Sequence, residues 1–131
     1  MLIDTSGWFC ILDERDFRHQ KALSFYDSAP QRITHNYVIA ELVALSEARK
    51  YSRSKTLEFI TDLLEDAEVE IIWVDEILTN ESLDLLNRRT DKSWSLCDAV
   101  SFILMKDNDL TEALTTDHHF EQAGFIQLLE S

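Results

Sequence analysis

Leu2-Ile3-Asp4-Thr5-Ser6-Gly7 opens the chain. Two apolar residues run into an acid and two hydroxyls, and Gly7 permits a turn. The pattern fits a short buried strand ending at Ile3, with Asp4 one place beyond the last core residue. In open α/β sheets, ligands bind outside the carboxyl ends of parallel strands. An acid in that place is therefore a candidate for chemistry. Taken alone, the stretch more readily describes a solvated carboxylate at a strand end. Three further acids, Glu41, Asp98 and Asp117, shift the balance, because each stands in an awkward position.

Outward from this strand, Phe17, Ala22, Leu23, Phe25 and Tyr26 predict a helix from about Phe17 to Ser28, stopped by Pro30. Arg32-Ile33-Thr34 reads as a weak short strand. Asn36 is the expected N-cap of a helix over Tyr37–Arg49, whose Val38, Ile39, Leu42, Val43 and Leu45 form a wide apolar stripe. A helix fits Ser54–Asp66, and Val69–Val74 reads as a strand. Thr79 or Asn80 is the expected cap of a helix carrying Leu83, Leu85 and Leu86. A helix follows over about Leu96–Lys106. Ala113–Thr116 reads as a strand, His118–Ala123 as a short helix and Phe125–Leu129 as a last strand. Strands that alternate with helices imply crossover connections and a largely parallel sheet with helices on both faces, an α/β fold.

At 131 residues, with 45% hydrophobic content and no linker-like shift, the chain is expected to form one domain. No apolar run approaches the ~20 residues of a membrane span. The N-terminus has no basic region of the signal-peptide kind, and Cys10 and Cys97 make no framework. Cys97 reads as a reduced core thiol, and the cytoplasm is the expected compartment. The net charge of -13 argues against nonspecific nucleic-acid binding over the whole surface. No Lys or Arg occurs between Thr56 and Asn87, where acids are dense. Cations gather at Arg49, Lys50, Arg53 and Lys55, and at Arg88, Arg89 and Lys92.

Glu41 falls at the edge of its helix's apolar stripe, where it either snorkels or serves a site. Asp98 is surrounded by Leu96, Cys97, Val100, Phe102, Ile103, Leu104 and Met105, an apolar circumference that belongs to a buried helix. A buried carboxylate needs a partner, a proton or a metal. Ser95 and Asp98 also match a capping box, and both roles are compatible, because a first-turn acid points off the helix end. Asp117 follows a strand and could cap the short helix after it. His118 and His119 are adjacent and are expected to point apart, which disfavours a zinc site built on both. A strand end, a helix edge, a helix N-terminus and another strand end can meet at one rim of a parallel sheet. Crowded carboxylates there suit hard ions such as Mg²⁺ or Mn²⁺.

These residues resemble the PIN-domain family of metal-dependent ribonucleases, most closely the small toxins of VapC type. Leu2-Ile3-Asp4-Thr5-Ser6 resembles the opening strand, and Tyr37-Val38-Ile39-Ala40-Glu41-Leu42 the helix with the second acid. Ser95-Leu96-Cys97-Asp98-Ala99 resembles the segment with the third. Leu114-Thr115-Thr116-Asp117, with Phe120 three residues on, resembles the strand end with the fourth. The resemblance implies a three-layer, Rossmann-like α/β/α sandwich and an RNA endonuclease using Mg²⁺ or Mn²⁺. It implies Asp4 and Asp98 as main metal ligands, completed by Glu41 and Asp117. Thr5, Ser95 and Thr116 become supporting hydroxyls, with Asp91 a weaker candidate in the loop before the Asp98 helix. It also implies a homodimer and an inhibiting antitoxin.

An acidic chain needs a route for RNA, and Arg49, Arg53, Arg88, Arg89 and Lys92 are the expected path. The same cations could simply complement helix C-termini. A non-catalytic PIN-fold interaction module is the main alternative, and the intact set of four acids argues against it. A phosphotransferase of Rossmann-like fold would want a second Asp close behind Asp4, where Thr5 and Ser6 stand. A nucleotide-binding Rossmann domain would want a Gly-rich turn, which Gly7 and Gly124 cannot make. Exposure of Trp8, Phe9, Phe17 or Trp94 would mark a partner face; otherwise they are core.

Overall fold

Leu2 and Ile3 alone form strand β1, and both are fully buried. Successive strand residues face opposite sides of a sheet. Leu2 accordingly packs in one core layer with Val100, Phe102, Met105 and Phe120, while Ile3 packs in another with Trp8, Phe9, Val38 and Leu42. The same alternation recurs in β4 (Glu112–Leu114), where Ala113 joins the Leu2 layer and Leu114 the Ile3 layer. The register pairs Leu2 with Ala113 and Ile3 with Leu114.

The computed structural model describes all residues, Met1–Ser131. After β1 come α1 (Thr5–Leu12), α2 (His19–Ser28), β2 (Ile33–His35), α3 (Asn36–Ala48), α4 (Arg53–Glu65) and β3 (Glu70–Ile72). Then follow α5 (Glu76–Arg88), α6 (Leu96–Asp107), β4, α7 (His119–Gln122) and β5 (Ile126–Gln127). The sheet order is β3-β2-β1-β4-β5, with every pairing parallel. Buried residues of α1 to α4 line the Ile3 layer, and those of α6 and α7, with α5 packed alongside, line the Leu2 layer. This is the three-layer α/β/α sandwich expected from the sequence. The chain first moves outward from β1 through β2 to β3, then restarts on the other side of β1 with β4. The β1–β4 boundary is therefore the topological switch point, where such sheets place their ligands.

Four local readings are corrected. Helix α1 was not anticipated, because Gly7 suggested a turn. Gly7 instead lies inside α1, and a Cβ there would fall on the Leu114 carbonyl oxygen. The glycine lets α1 lie against the end of β4. Phe17 stands outside α2 and is 74% exposed, whereas Trp8, Phe9 and Trp94 are core. His35, not Asn36, occupies the N-cap place of α3; the Asn36 Oδ1 accepts from Val74 N at 2.6 Å and ties α3 to the end of β3. Helix α5 starts sooner than expected, capped by Asp75, whose Oδ1 accepts from Leu78 N at 2.8 Å. No helix is long and apolar enough to cross a membrane.

Candidate metal centre

Asp4 sits in the N-cap place of α1 but makes no capping bond with its side chain. Its carboxylate faces the neighbouring strand end instead. Thr115 Oγ1 donates to Asp4 Oδ2 at 2.9 Å, and Ser6 Oγ lies 3.4 Å from the same oxygen. Asp4 is only 5% exposed. Burial is the main reason its pKa rises to about 7, and the charges of Asp98 and Glu41 push the same way. No Lys or Arg forms an ion pair with Asp4, Glu41 or Asp98.

Glu41 reaches this point from the second turn of α3. Its side chain is exposed to solvent, yet its Oε1 accepts from Thr5 Oγ1 at 2.8 Å. The edge of the apolar stripe thus turns toward the start of α1. Asp98 is buried, and it both caps and faces the site. Its Oδ2 accepts from Ser95 N at 3.0 Å, and Ser95 Oγ accepts from Asp98 N at 3.0 Å, completing the capping box. The same Oδ2 lies 3.0 Å from His119 Nδ1. Asp98 Oδ1 takes no hydrogen bond from the protein.

Asp117 follows β4. Its Oδ1 accepts from His119 N at 2.9 Å and turns the chain into α7, but the N-cap place expected for Asp117 belongs to His118. His118 and His119 do not diverge as their adjacency suggested. Their ring centroids are 4.7 Å apart, and both Nδ1 atoms face Asp117 Oδ1, at 3.7 and 3.4 Å. A helix this short lets both rings fold back over the preceding acid.

Two supporting residues escaped the sequence reading. Fully buried Thr115, not Thr116, carries the hydroxyl that matters: it bonds Asp4 and accepts from Asp117 N at 3.0 Å. One hydroxyl therefore links the first acid to the fourth. Thr116 contributes its backbone N–H to Ser6 Oγ at 3.0 Å. The two-residue alternation of a strand end is the available signal, since Thr115 and Asp117 share a side. His119, two residues past Asp117 at a helix start, is the other. Asp91 does not join the acids. It is exposed and paired with Arg89 at 3.0 Å and with Lys92 at 3.9 Å.

Cys97 completes one side of the centre. Asp4, Glu41 and Cys97 offer donor atoms that all lie within 4.8 Å of one another. Burial, then the charges of Glu41 and Asp4, hold the Cys97 thiol well above its ordinary range. Asp117, His118 and His119 form a second such group, joined to the first through Asp98 and Thr115.

The expected RNA path is largely engaged. The Arg49 guanidinium lies 4.8 Å over the Phe9 ring, and Arg53 pairs with Glu47 at 3.6 Å. Arg89 pairs with Asp91 and lies 5.0 Å over Trp94. Arg88, at the end of α5, is exposed and unpaired.

The donor set fits a divalent cation. A buried carboxylate without a cationic partner, pressed by two more carboxylates, gains from a positive charge in their midst. Carboxylate and hydroxyl oxygens are the ligands hard ions prefer.

Comparison with known proteins agrees with this fold. A family model described as PIN domain matches residues 1–126. The 23S rRNA-specific endonuclease VapC20 of Mycobacterium tuberculosis, found in two strains, is 28% identical over 129 residues, which cover 98% of this chain and 97% of that protein. The crystal structure of M. tuberculosis VapC20, a sarcin-ricin loop cleaving toxin, superposes with a TM-score of 0.86 at 26% identity, covering 96% of each chain. A toxin–antitoxin complex from Klebsiella pneumoniae shares the fold, with a TM-score of 0.69 at 16% identity over 99% of this chain and 98% of that one.

Proposed function

The chain belongs to the PIN-domain family, and from that premise we propose that it is a metal-dependent RNA endonuclease, the toxin of a toxin–antitoxin pair. The observation that carries the proposal is Asp4, buried at the switch point beside Glu41 and Asp98 with no cationic partner. Kinship with VapC20 supports RNA as the substrate, structured ribosomal RNA included. Residues 1–131 form a single PIN-like domain in this reading. It works in the cytoplasm as a homodimer and is held in check by a cognate antitoxin.

Asp4 and Asp98 are the proposed main ligands of Mg²⁺ or Mn²⁺, and Glu41 and Asp117 complete the acidic site. An ion of this kind supplies charge neutralisation at the phosphate and lowers the pKa of water for phosphodiester hydrolysis. The chain's own residues keep the acids in place. Thr115 fixes Asp4 and the backbone at Asp117, Thr5 fixes Glu41, and Ser95 with His119 fixes Asp98 Oδ2. Asp98 Oδ1 is thereby left for the ion. Within the Arg49, Arg53, Arg88, Arg89 and Lys92 path, Arg88 is the cation best able to meet a backbone phosphate, because the other four already have partners.

The test is cleavage. Purified chain is incubated with transfer and ribosomal RNAs in Mn²⁺, in Mg²⁺ and in chelator, beside Asp98→Asn. The expected result is metal-dependent cutting at discrete sites that the variant lacks. Equal behaviour of wild type and Asp98→Asn would overturn the proposal.

A further inference from the structure

We propose that the centre contains a second, thiophilic metal site formed by Asp4, Glu41 and Cys97, which holds Zn²⁺-like ions and by doing so disfavours the productive one. The inference rests on the reading of this rim as a divalent-cation site. It goes beyond that reading, because a nuclease that uses hard ions needs oxygen donors and has no use for a sulfur.

Cys97 is the second residue of α6, immediately before Asp98. In that place its side chain turns inward, is only 6% exposed, and packs in the Ile3 layer although most of α6 packs in the other. Its Sγ lies with the Asp4 and Glu41 carboxylate oxygens in a group no more than 4.8 Å across. Zinc bonds of about 2.0–2.3 Å to oxygen and sulfur place tetrahedral donors roughly 3.3–3.8 Å apart. About an ångström of closure therefore suffices. Asp4 has no cationic partner to be displaced, and Glu41 is solvent-exposed and free to adjust around its Thr5 bond.

Thiolate selects soft ions, and carboxylate with water selects hard ones. The three donors leave the fourth tetrahedral position to water. On binding, the S–H bond breaks, an S–metal bond forms, and the proton leaves to solvent, because Glu41 and Asp4 must both be ionised to hold the ion. No electron transfer is involved. Both kinds of ion draw on Asp4 and carry the same charge, so each disfavours the other's binding. Cys10, the other cysteine, packs in the same core layer outside the Asp4–Glu41–Cys97 group, next to Asp16 and Arg18.

Cd²⁺ is the probe, because cadmium–thiolate bonds absorb in the ultraviolet. The intact chain is titrated with Cd²⁺ by absorbance and with Mn²⁺ by electron paramagnetic resonance. The expected result is one charge-transfer band per chain, removed by excess Mn²⁺. The band is kept in Cys10→Ser and lost in Cys97→Ser and Cys97→Ala. Roughly tenfold or more of the Cd²⁺ preference over Mn²⁺ is lost with it. The competition arm uses wild type alone, so the proposal stays testable if a variant misfolds. Mn²⁺ binding without a Cd²⁺ band, or a band that survives the loss of Cys97 or an excess of Mn²⁺, would overturn this inference alone. Binding of neither ion would overturn it together with the metal reading of the site.

Discussion

Two regions of this molecule are rich in acid, and they behave oppositely. Between Thr56 and Asn87 lie ten acids and no Lys or Arg. All of them except the half-buried Asp66 are exposed to solvent. Water screens their repulsion, and the stretch is a solvated face. At the switch point between β1 and β4 the acids are fewer, but Asp4 and Asp98 are buried and no Lys or Arg answers them. Each buried charge there is costly, and together they make a site that a cation would complete. Acid content explains the net charge, but acid placement decides which carboxylates are buried without a Lys or Arg beside them.

The sharpest way to break this contrast is to remove one acid from each region. Asp98→Asn should lower RNA cleavage about a thousandfold, roughly 4 kcal/mol in the barrier. Glu76→Gln on the solvated face should leave the rate unchanged. Equal losses in a single-turnover assay would erase the distinction.

The next effect is on stability in the metal-free protein. Asp4, raised to about 7, holds its proton in the folded state at pH values where the unfolded chain has lost it. Its contribution is complete below about pH 4 and is lost as pH rises through 7, by about 4 kcal/mol at most. Burial lowers His35 to about 4, with the opposite sign. Its contribution is complete above about pH 6.5 and is lost as pH falls toward 4, by about 3 kcal/mol at most. Between pH 4 and 6.5 the two oppose each other. Denaturant unfolding of Asp4→Asn should therefore show stability rising between pH 4 and roughly 6.5 by about 3 kcal/mol more than wild type does. Parallel curves would mean that Asp4 is not the strained group.

Thr115→Val tests how the buried acids are held. It should cost 10–100-fold, by order of magnitude, in Mn²⁺ affinity, as the loss of a group orienting a metal ligand does. Thr116→Val should cost much less, because only the backbone of Thr116 is engaged. The smallest effect concerns RNA. Arg88→Ala should weaken binding across sequences and reduce the salt slope by about one. Arg89→Ala should change the slope less, since its charge already meets Asp91.

The fold was legible largely from alternation. Strands punctuated by amphipathic helices implied a covered parallel sheet, and the sheet is wholly parallel. The four acids were legible for the same reason, since each interrupts a pattern that burial explains. Helix α1 was not, because Gly7 reads as a turn until the carbonyl of Leu114, far away in sequence, is seen beneath it. The caps of α3 and α5 were misplaced because Asn36 and Thr79 bond to other parts of the chain, Val74 and Tyr37. Thr115 and His119 were missed because their importance lies in partners across the sheet and the helix start, which spacing alone does not reveal. The cation path was legible only as charge. Its engagement with Glu47, Asp91 and two aromatic rings is tertiary.

The switch-point acids, and not the larger acidic face, are the proposed ligands of a divalent ion. Mn²⁺ titration by electron paramagnetic resonance, on wild type, Asp4→Asn and Glu76→Gln, tests this directly. Wild type and Glu76→Gln should bind Mn²⁺ saturably, and Asp4→Asn should lose that binding. Binding that survives in Asp4→Asn, or that falls equally in both variants, would contradict it.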